Sequence, residues 1–379
     1  MTIVGQALTE LICSECGVHY PFAATTWRCA CGGPLDIPIA PNFRPEALAG
    51  RQPGLWRYRE ALPAIPATLE VSLGEPMTPL VPARPGSGLT YKLDFLMPSG
   101  SYKDRGTTVV VSTLRHLGAA RIVEDSSGNA GASMAAYCSA ASIPCEIYAP
   151  ADASPGKTRQ VRCHGARLVL VDGTREDVAL AAQATVSTGA VYASHAWSPL
   201  FLMGTATLAY ELWEQMGGQV PDNIIVPAGS GTLVLGAYRG FDLLRRSGVT
   251  DRMPRIFAVQ ATGCAPLYHA EQLGSPTVEG FDYPIADTVA EGIRIRRPAR
   301  GRQILSALRE TGGAAVAVSE EEIRTGWADL LGRGLFAEPT SAVVAAGAGR
   351  LLRAGRIAGG ERTVAVLSGH GLKSTALSV

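Results

Sequence analysis

From Leu80 onward, short apolar runs alternate with longer mixed stretches. Residues 120–125, 145–149, 166–171, 223–226, 255–260 and 363–367 are brief and apolar, and read as strands. Between the early ones, 129–141 is alanine-rich and free of proline, so it reads as a helix. The stretches 157–164 and 176–188 read the same way. Strands that alternate with helices argue for parallel sheets covered on both faces. The chain ahead of this region is different. Residues 39–79 carry Pro41, Pro45, Pro53, Pro63 and Pro66 with Trp56 and Tyr58, and predict an extended arm. Residues 1–38 are set apart by four cysteines.

Size and charge narrow the class of protein. With 379 residues, 46% of them apolar, the chain can bury two cores. It holds 34 basic and 33 acidic residues without a basic block, which argues against nucleic acid or an anionic membrane as partner. The first six residues lack the basic start and apolar run of a signal peptide. No run reaches the roughly 18 apolar residues of a membrane span. Eight cysteines in so long a chain do not suggest a secreted disulfide framework, so the cytoplasm is the expected location. Cys138, Cys145, Cys163 and Cys264 lie among apolar neighbours and read as inert thiols.

Four segments carry candidate chemistry. Residues 98–106, Pro-Ser-Gly-Ser-Tyr-Lys-Asp-Arg-Gly, place Lys103 at the start of an apolar helix. The positive end of the helix dipole disfavours a further charge there, and imine chemistry requires a neutral amine. A surface loop entering a helix is the plainer reading. Residues 125–131, Asp-Ser-Ser-Gly-Asn-Ala-Gly, join a strand to a helix and suit an anion or an ordinary cap. Residues 226–232, Val-Pro-Ala-Gly-Ser-Gly-Thr, suit a phosphate cradle or a plain glycine turn. Residues 368–373, Ser-Gly-His-Gly-Leu-Lys, follow the last strand. All four lie where α/β sheets bind ligands, at the carboxyl ends of strands or at a helix start beside them.

Taken in order, these motifs resemble the threonine synthase branch of the fold-type-II pyridoxal-phosphate enzymes, the tryptophan synthase β-like group. Residues 259–260, 265–267 and 338–342 (Glu-Pro-Thr-Ser-Ala) add to the likeness, which runs over nearly the whole chain. The resemblance implies an α/β fold of two parallel-sheet, three-layer domains with an N-terminal cysteine ribbon, the cofactor in the cleft between them, and a homodimer. The expected division is a zinc-ribbon-like segment at 1–38, an arm at 39–79, a large cofactor-binding domain at 80–107 plus 201–379, and a small mobile domain at 108–200. Lys103 would be the Schiff-base lysine and the base at Cα. Asn129 would bond the cofactor's 3′-oxygen, Gly229, Ser230, Gly231 and Thr232 would cradle its phosphate, and Ser368 would face its ring nitrogen. Ser126, Ser127, Gly128 and Ala130 would hold the carboxylate of a small amino-acid substrate, with His195 and Phe201 beside it. A neutral hydroxyl on the ring nitrogen makes a weaker electron sink, which favours elimination or replacement at Cβ or Cγ.

Two departures from threonine synthases bear on the substrate. Where those enzymes place an arginine and a lysine for the phosphate of O-phosphohomoserine, this chain has Phe201 and Ala206. A dianion needs cations or dense donors, so O-phosphohomoserine is not the expected substrate. Residues 290–295, Ala-Glu-Gly-Ile-Arg-Ile, look closer to the Gly-Ile segment of threonine/serine ammonia-lyases. True threonine synthase, an ammonia-lyase and a replacement synthase therefore stand as alternatives, with a catalytically lost binding protein as the non-enzyme reading. Cys13, Cys16, Cys29 and Cys31 suit a structural tetrathiolate zinc site, although Cys29-x-Cys31 is one residue tighter than the usual knuckle; a metal-free segment is the alternative.

Overall fold

The computed structural model describes residues 4–153 and 155–374. The chain divides into two compact units, Met1–Pro76 with Lys103–Thr205, and Met77–Tyr102 with Ala206–Val379. The cysteine segment and the proline-rich stretch thus belong to the same unit as the 108–200 region. The division also falls between Tyr102 and Lys103, so the lysine helix joins this first unit and not the larger one expected from sequence.

In the first unit a four-stranded parallel sheet runs in the order Arg167–Val171, Cys145–Pro150, Ile122–Glu124, Val191–Tyr192. Its central strands are buried except at Pro150, as parallel strands covered by helices must be. The helices Lys103–His116, Asn129–Ala141 and Pro199–Thr205 supply most of the adjoining core, with Val109, Val111, Met134, Tyr137 and Phe201 inside it. Ser133 joins two of them by donating to Asp104 at 2.6 Å, and Tyr137 donates to Glu75 at 2.6 Å.

The N-terminal segment forms a three-stranded antiparallel ribbon, Glu10–Cys13 pairing with His19–Pro21 and Leu35–Asp36. Beyond it, the arm coils into three short 3-10 helices, Pro45–Leu48, Leu55–Ala61 and Ala67–Leu69, where an extended run was expected. Proline fixes the backbone at helix-compatible angles as readily as extended ones, and Pro45 opens the first of these turns.

The second unit holds a six-stranded sheet in the order Ala314–Val318, Arg255–Ala261, Asn223–Pro227, Thr363–Val366, Leu89–Lys92, Leu80–Pro82. Only the edge strand Leu80–Pro82 is antiparallel among the described pairings. The helices Thr232–Arg246, Gly301–Glu310, Glu320–Gly332 and Pro339–Arg353 complete this unit. Lys92, fully buried at the end of its strand, pairs with Glu211 at 2.5 Å and also donates to the Thr78 carbonyl at 2.6 Å. No described helix is long and apolar enough to cross a membrane.

Candidate active site

Lys103 opens the helix Lys103–His116 and is buried. Phe201 sits against this first turn. A β-carbon at position 106 would stand 2.4 Å from the Phe201 ring, and one at position 204 would stand 2.0 Å from the Arg105 carbonyl. Glycine at both positions therefore lets the helix Pro199–Thr205 close onto the lysine helix. Lys103 Nζ lies 5.5 Å from the centre of the Phe201 ring, and the His195 ring lies 5.9 Å from it in an edge arrangement. Phe201 is wholly buried, so it enters the site as an apolar wall.

The segment 125–131 leaves the carboxyl end of Ile122–Glu124 and turns into Asn129–Ala141. The Gly128 N–H donates to Ser126 Oγ at 3.3 Å, which tightens the turn. Gly131 is forced by packing: a β-carbon there would meet the Ser126 carbonyl at 1.8 Å. Gly128, in contrast, faces space, with only Ser126 Oγ at 3.9 Å from an added β-carbon. Ser126, Ser127, Gly128, Asn129 and Ala130 thus form one turn at the sheet's carboxyl edge, with an open approach at its glycine.

Glu124 is a partner of His195 that sequence reading passed over, because a glutamate ending an apolar strand looks like a strand terminus. Here it is fully buried, and its Oε2 accepts the His195 N–H at 3.0 Å while its Oε1 meets His195 Nδ1 at 3.0 Å. Burial, reinforced by the charge of Asp125, pushes the Glu124 carboxyl well above its ordinary range. Burial also pushes the His195 imidazole well below its own, with Lys103 and Arg175 adding to the effect. Arg175 is taken up by Asp125 at 2.8 Å.

In the second unit, Gly229–Thr232 follows the strand Asn223–Pro227 and opens a 15-residue helix. Gly231 has φ +76, and a β-carbon on it would lie 2.0 Å from Ile304 Cδ1. Tyr102 and Thr232 share a hydroxyl hydrogen bond at 2.9 Å. Gln260 braces the loop, donating to the Ala228 carbonyl at 3.1 Å and accepting from the Leu267 and Tyr268 N–H groups. That accounts for the 259–260 and 265–267 motifs physically. The Gly292–Ile293 backbone lies against the same loop, since a β-carbon at 229 would come within 2.8 Å of Ile293 Cα. Arg294, Arg296 and Arg297 are exposed, and Arg294 pairs with Asp287 at 2.8 Å.

Ser368 follows the strand Thr363–Val366 and is braced by the 338–342 motif. Ser341 Oγ accepts the N–H groups of Ser368 (2.9 Å) and Gly369 (2.8 Å), and lies 3.2 Å from Ser368 Oγ. Ser101 Oγ in this unit is buried and has no hydrogen-bond partner among the described residues.

At the N-terminus, the four sulfurs of Cys13, Cys16, Cys29 and Cys31 lie within 4.8 Å of one another, with Cys13–Cys31 and Cys16–Cys29 each at 3.5 Å. Zinc–sulfur bonds of about 2.3 Å place tetrahedral ligands about 3.8 Å apart, so the spacing fits such an ion. The Tyr20 hydroxyl, 3.1 Å from Cys29, lowers that thiol to about 6, while the neighbouring thiols push Cys31 up to about 12, so without a metal the cluster favours a thiolate at Cys29 and not at Cys31.

Residues 71–369 match the family described as pyridoxal-phosphate dependent enzyme. The chain belongs to that family, as a threonine-synthase-like member. It is 34% identical over 375 residues to threonine synthase of Methanocaldococcus jannaschii, covering 95% of this chain and 92% of the relative. Threonine synthase of Methanosarcina acetivorans is 33% identical over 376 residues, covering 96% and 92%. Among solved structures, threonine deaminase isoform 2 of Solanum lycopersicum in its processed form superposes with a TM-score of 0.68 at 21% identity, covering 80% of this chain and 86% of that one. Maize serine racemase gives 0.66 at 22%, covering 78% and 88%. These likenesses agree with the fold-type-II α/β architecture.

Proposed function

We propose that this chain uses pyridoxal phosphate, held by Lys103, to carry out elimination or replacement at Cβ or Cγ of a small amino acid. The observation that carries the reading is the placement of Lys103, buried at the first turn of its helix with Nζ 5.5 Å from the centre of the Phe201 ring. The chain has four lysines: Lys92, Lys103, Lys157 and Lys373. Lys92 is locked to Glu211, and Lys373 donates to the Ser99 carbonyl at 2.8 Å. Lys103 opens a helix beside an apolar wall, in the unit that also holds the Ser126–Ala130 turn.

The residues fit the cofactor. Gly231 with its left-handed backbone, Gly229, Ser230 and Thr232 would hold the phosphate at the start of a long helix. Ser101 Oγ, buried without a partner among the described residues, marks a polar position in this unit that a ligand would satisfy. Ser368 would offer the ring nitrogen a neutral hydroxyl, and Asn129 would bond the 3′-oxygen. When bound, pyridoxal phosphate withdraws electrons from the substrate's Cα. Lys103 would carry the Cα proton. Ser126, Ser127 and the N–H groups near Gly128 and Ala130 would orient the substrate carboxylate. His195 and Phe201 would border the side chain, and the uncharged Phe201 disfavours a phosphate ester there.

Threonine synthase activity is the second reading, favoured by relatives 33–34% identical over nearly the full chain. In either case we infer a structural zinc ion at the four cysteines, a homodimer and a cytoplasmic location. Incubating the purified enzyme with O-phosphohomoserine, threonine, serine and their O-acetyl and O-phospho relatives separates these reactions. The expected result is keto-acid or replacement product without phosphate release from O-phosphohomoserine. Threonine and phosphate formed together would favour the second reading.

A further inference from the structure

His195 borders the substrate side chain in the reading above, but nothing in that reading uses its buried pairing with Glu124. The two stand at the carboxyl ends of adjacent parallel strands, Ile122–Glu124 and Val191–Tyr192. Two hydrogen bonds of 3.0 Å tie His195 to the carboxyl: its backbone N–H donates to Oε2, and its ring Nδ1 meets Oε1. Nδ1 is thereby used, and Nε2 is the ring atom left for other chemistry. The ring shares the Phe201 wall with Lys103, at 5.9 and 5.5 Å from its centre. Arg175, whose charge reaches both groups, is held by Asp125 at 2.8 Å.

A carboxyl fully out of water whose hydrogen bonds among the described residues all go to a histidine is least costly when the pair is uncharged. Glu124 Oε1 then carries a proton donated to Nδ1, and the imidazole's own proton sits on Nε2. The upward push on Glu124 and the downward push on His195 run the same way.

We propose that His195, oriented by Glu124, protonates the departing hydroxyl of a β-hydroxy amino acid, so that the enzyme expels water from Cβ. This deepens the function proposed above and rests on it. The step balances within the site. Lys103 takes the Cα proton, and that electron pair becomes the Cα–Cβ double bond. The Cβ–O bond breaks with its pair on oxygen, and His195 Nε2 gives that oxygen a proton. Glu124 passes its own proton to Nδ1 and ends as a carboxylate, opposite the newly charged Lys103. No oxidant or further reactant enters. A hydroxyl needs such an acid because hydroxide leaves poorly, and a positioned acid contributes about 10²–10⁴-fold. His195 is the catalytic residue here and Glu124 its positioning residue.

The test compares the holoenzyme with its H195Q and E124Q variants on L-serine, L-threonine and β-chloro-L-alanine, whose chloride departs without a proton. The ratio of hydroxy-acid to chloroalanine turnover should fall by about 10²–10⁴-fold in H195Q, and in the same direction in E124Q. Equal loss on both substrate types would overturn the proposal, as would a wild type that consumes chloroalanine but neither hydroxy acid. A wild type with no visible cofactor band and no turnover of any substrate would instead overturn the underlying function. A second readout needs no turnover: nitrogen-15 spectra of histidine-labelled enzyme. The imidazole signal that moves in E124Q should be neutral with its proton on Nε2. A proton on Nδ1 alone would overturn the acid role, and where E124Q does not fold the signal is assigned by its absence from H195Q.

Discussion

The Phe201 ring fills the space a side chain at Gly106 would need, with three ring atoms 2.4 to 2.6 Å from where a β-carbon would stand. Gly106 lies inside the lysine helix, where alanine is normally preferred by about 1 kcal/mol. Overpacking a core costs about 1–3 kcal/mol. The clash should outweigh the propensity gain, so Gly106→Ala lowers the melting temperature and shifts Lys103. Phe201→Ala alone should cost about 3–5 kcal/mol through the cavity it leaves. The double variant should be more stable than the sum of the single losses, because the new methyl then fills part of that cavity. Denaturant unfolding of all three checks this, and strict additivity would contradict it.

Gly231 faces two separate demands, a left-handed backbone and the Ile304 side chain 2.0 Å from any added β-carbon. Gly231→Ala should lower both stability and cofactor affinity, the backbone share being about 1–3 kcal/mol. Adding Ile304→Ala should relieve the contact but leave the backbone strain. Cofactor titration and thermal unfolding of the two variants would therefore show partial recovery.

Stability should respond to pH through His195 and Glu124 in opposite senses. Burial, with Lys103 and Arg175, lowers the folded imidazole well below 6.5. As pH falls through 6.5 the unfolded ring gains a proton that the folded ring does not, so stability is lost toward acid. Burial and Asp125 raise the folded Glu124 carboxyl well above 4.5. As pH rises through 4.5 the unfolded carboxyl loses a proton that the folded one keeps, so stability is lost toward base. Each group contributes a slope of up to about 1.4 kcal/mol per pH unit. His195→Gln should gain on wild type as pH falls below 6.5, and Glu124→Gln as pH rises above 4.5. Melting-temperature differences that do not change with pH would contradict both assignments.

The sulfur cluster predicts about one zinc ion per chain by elemental analysis. Cys13→Ser or Cys31→Ser should lose the metal and lower the melting temperature. Trp27, two residues before Cys29, packs edge-on against Tyr192 at 4.9 Å and Trp197 at 5.4 Å, so loss of the ribbon should also change tryptophan fluorescence. A metal-free chain of unchanged stability would contradict the site.

Much of this architecture was legible before any coordinates. The strands at 122–124, 145–150, 167–171, 223–227, 255–261 and 363–366 fall within a residue or two of the apolar runs that predicted them. Ala314–Val318 was not visible, because alanine and valine in alternation do not distinguish a strand from a buried helix. Leu89–Lys92 ends in a lysine whose buried charge is met by Glu211, 119 residues away. The Glu124–His195 pair escaped notice for the same reason, its members lying 71 residues apart. Short motifs with glycines left a clear trace, since Gly131, Gly204 and Gly231 are each required by a close approach. Pairing between distant polar residues left none.

Chemical reduction shows which lysine holds the cofactor. Treating the purified enzyme with borohydride should bleach its visible absorption and fix a pyridoxyl group to one lysine. Peptide mapping should place that group on Lys103, and Lys103→Ala should show neither the band nor the adduct. An adduct on Lys92, Lys157 or Lys373, or a wild-type enzyme without band or adduct, would rule out Lys103 as the cofactor lysine.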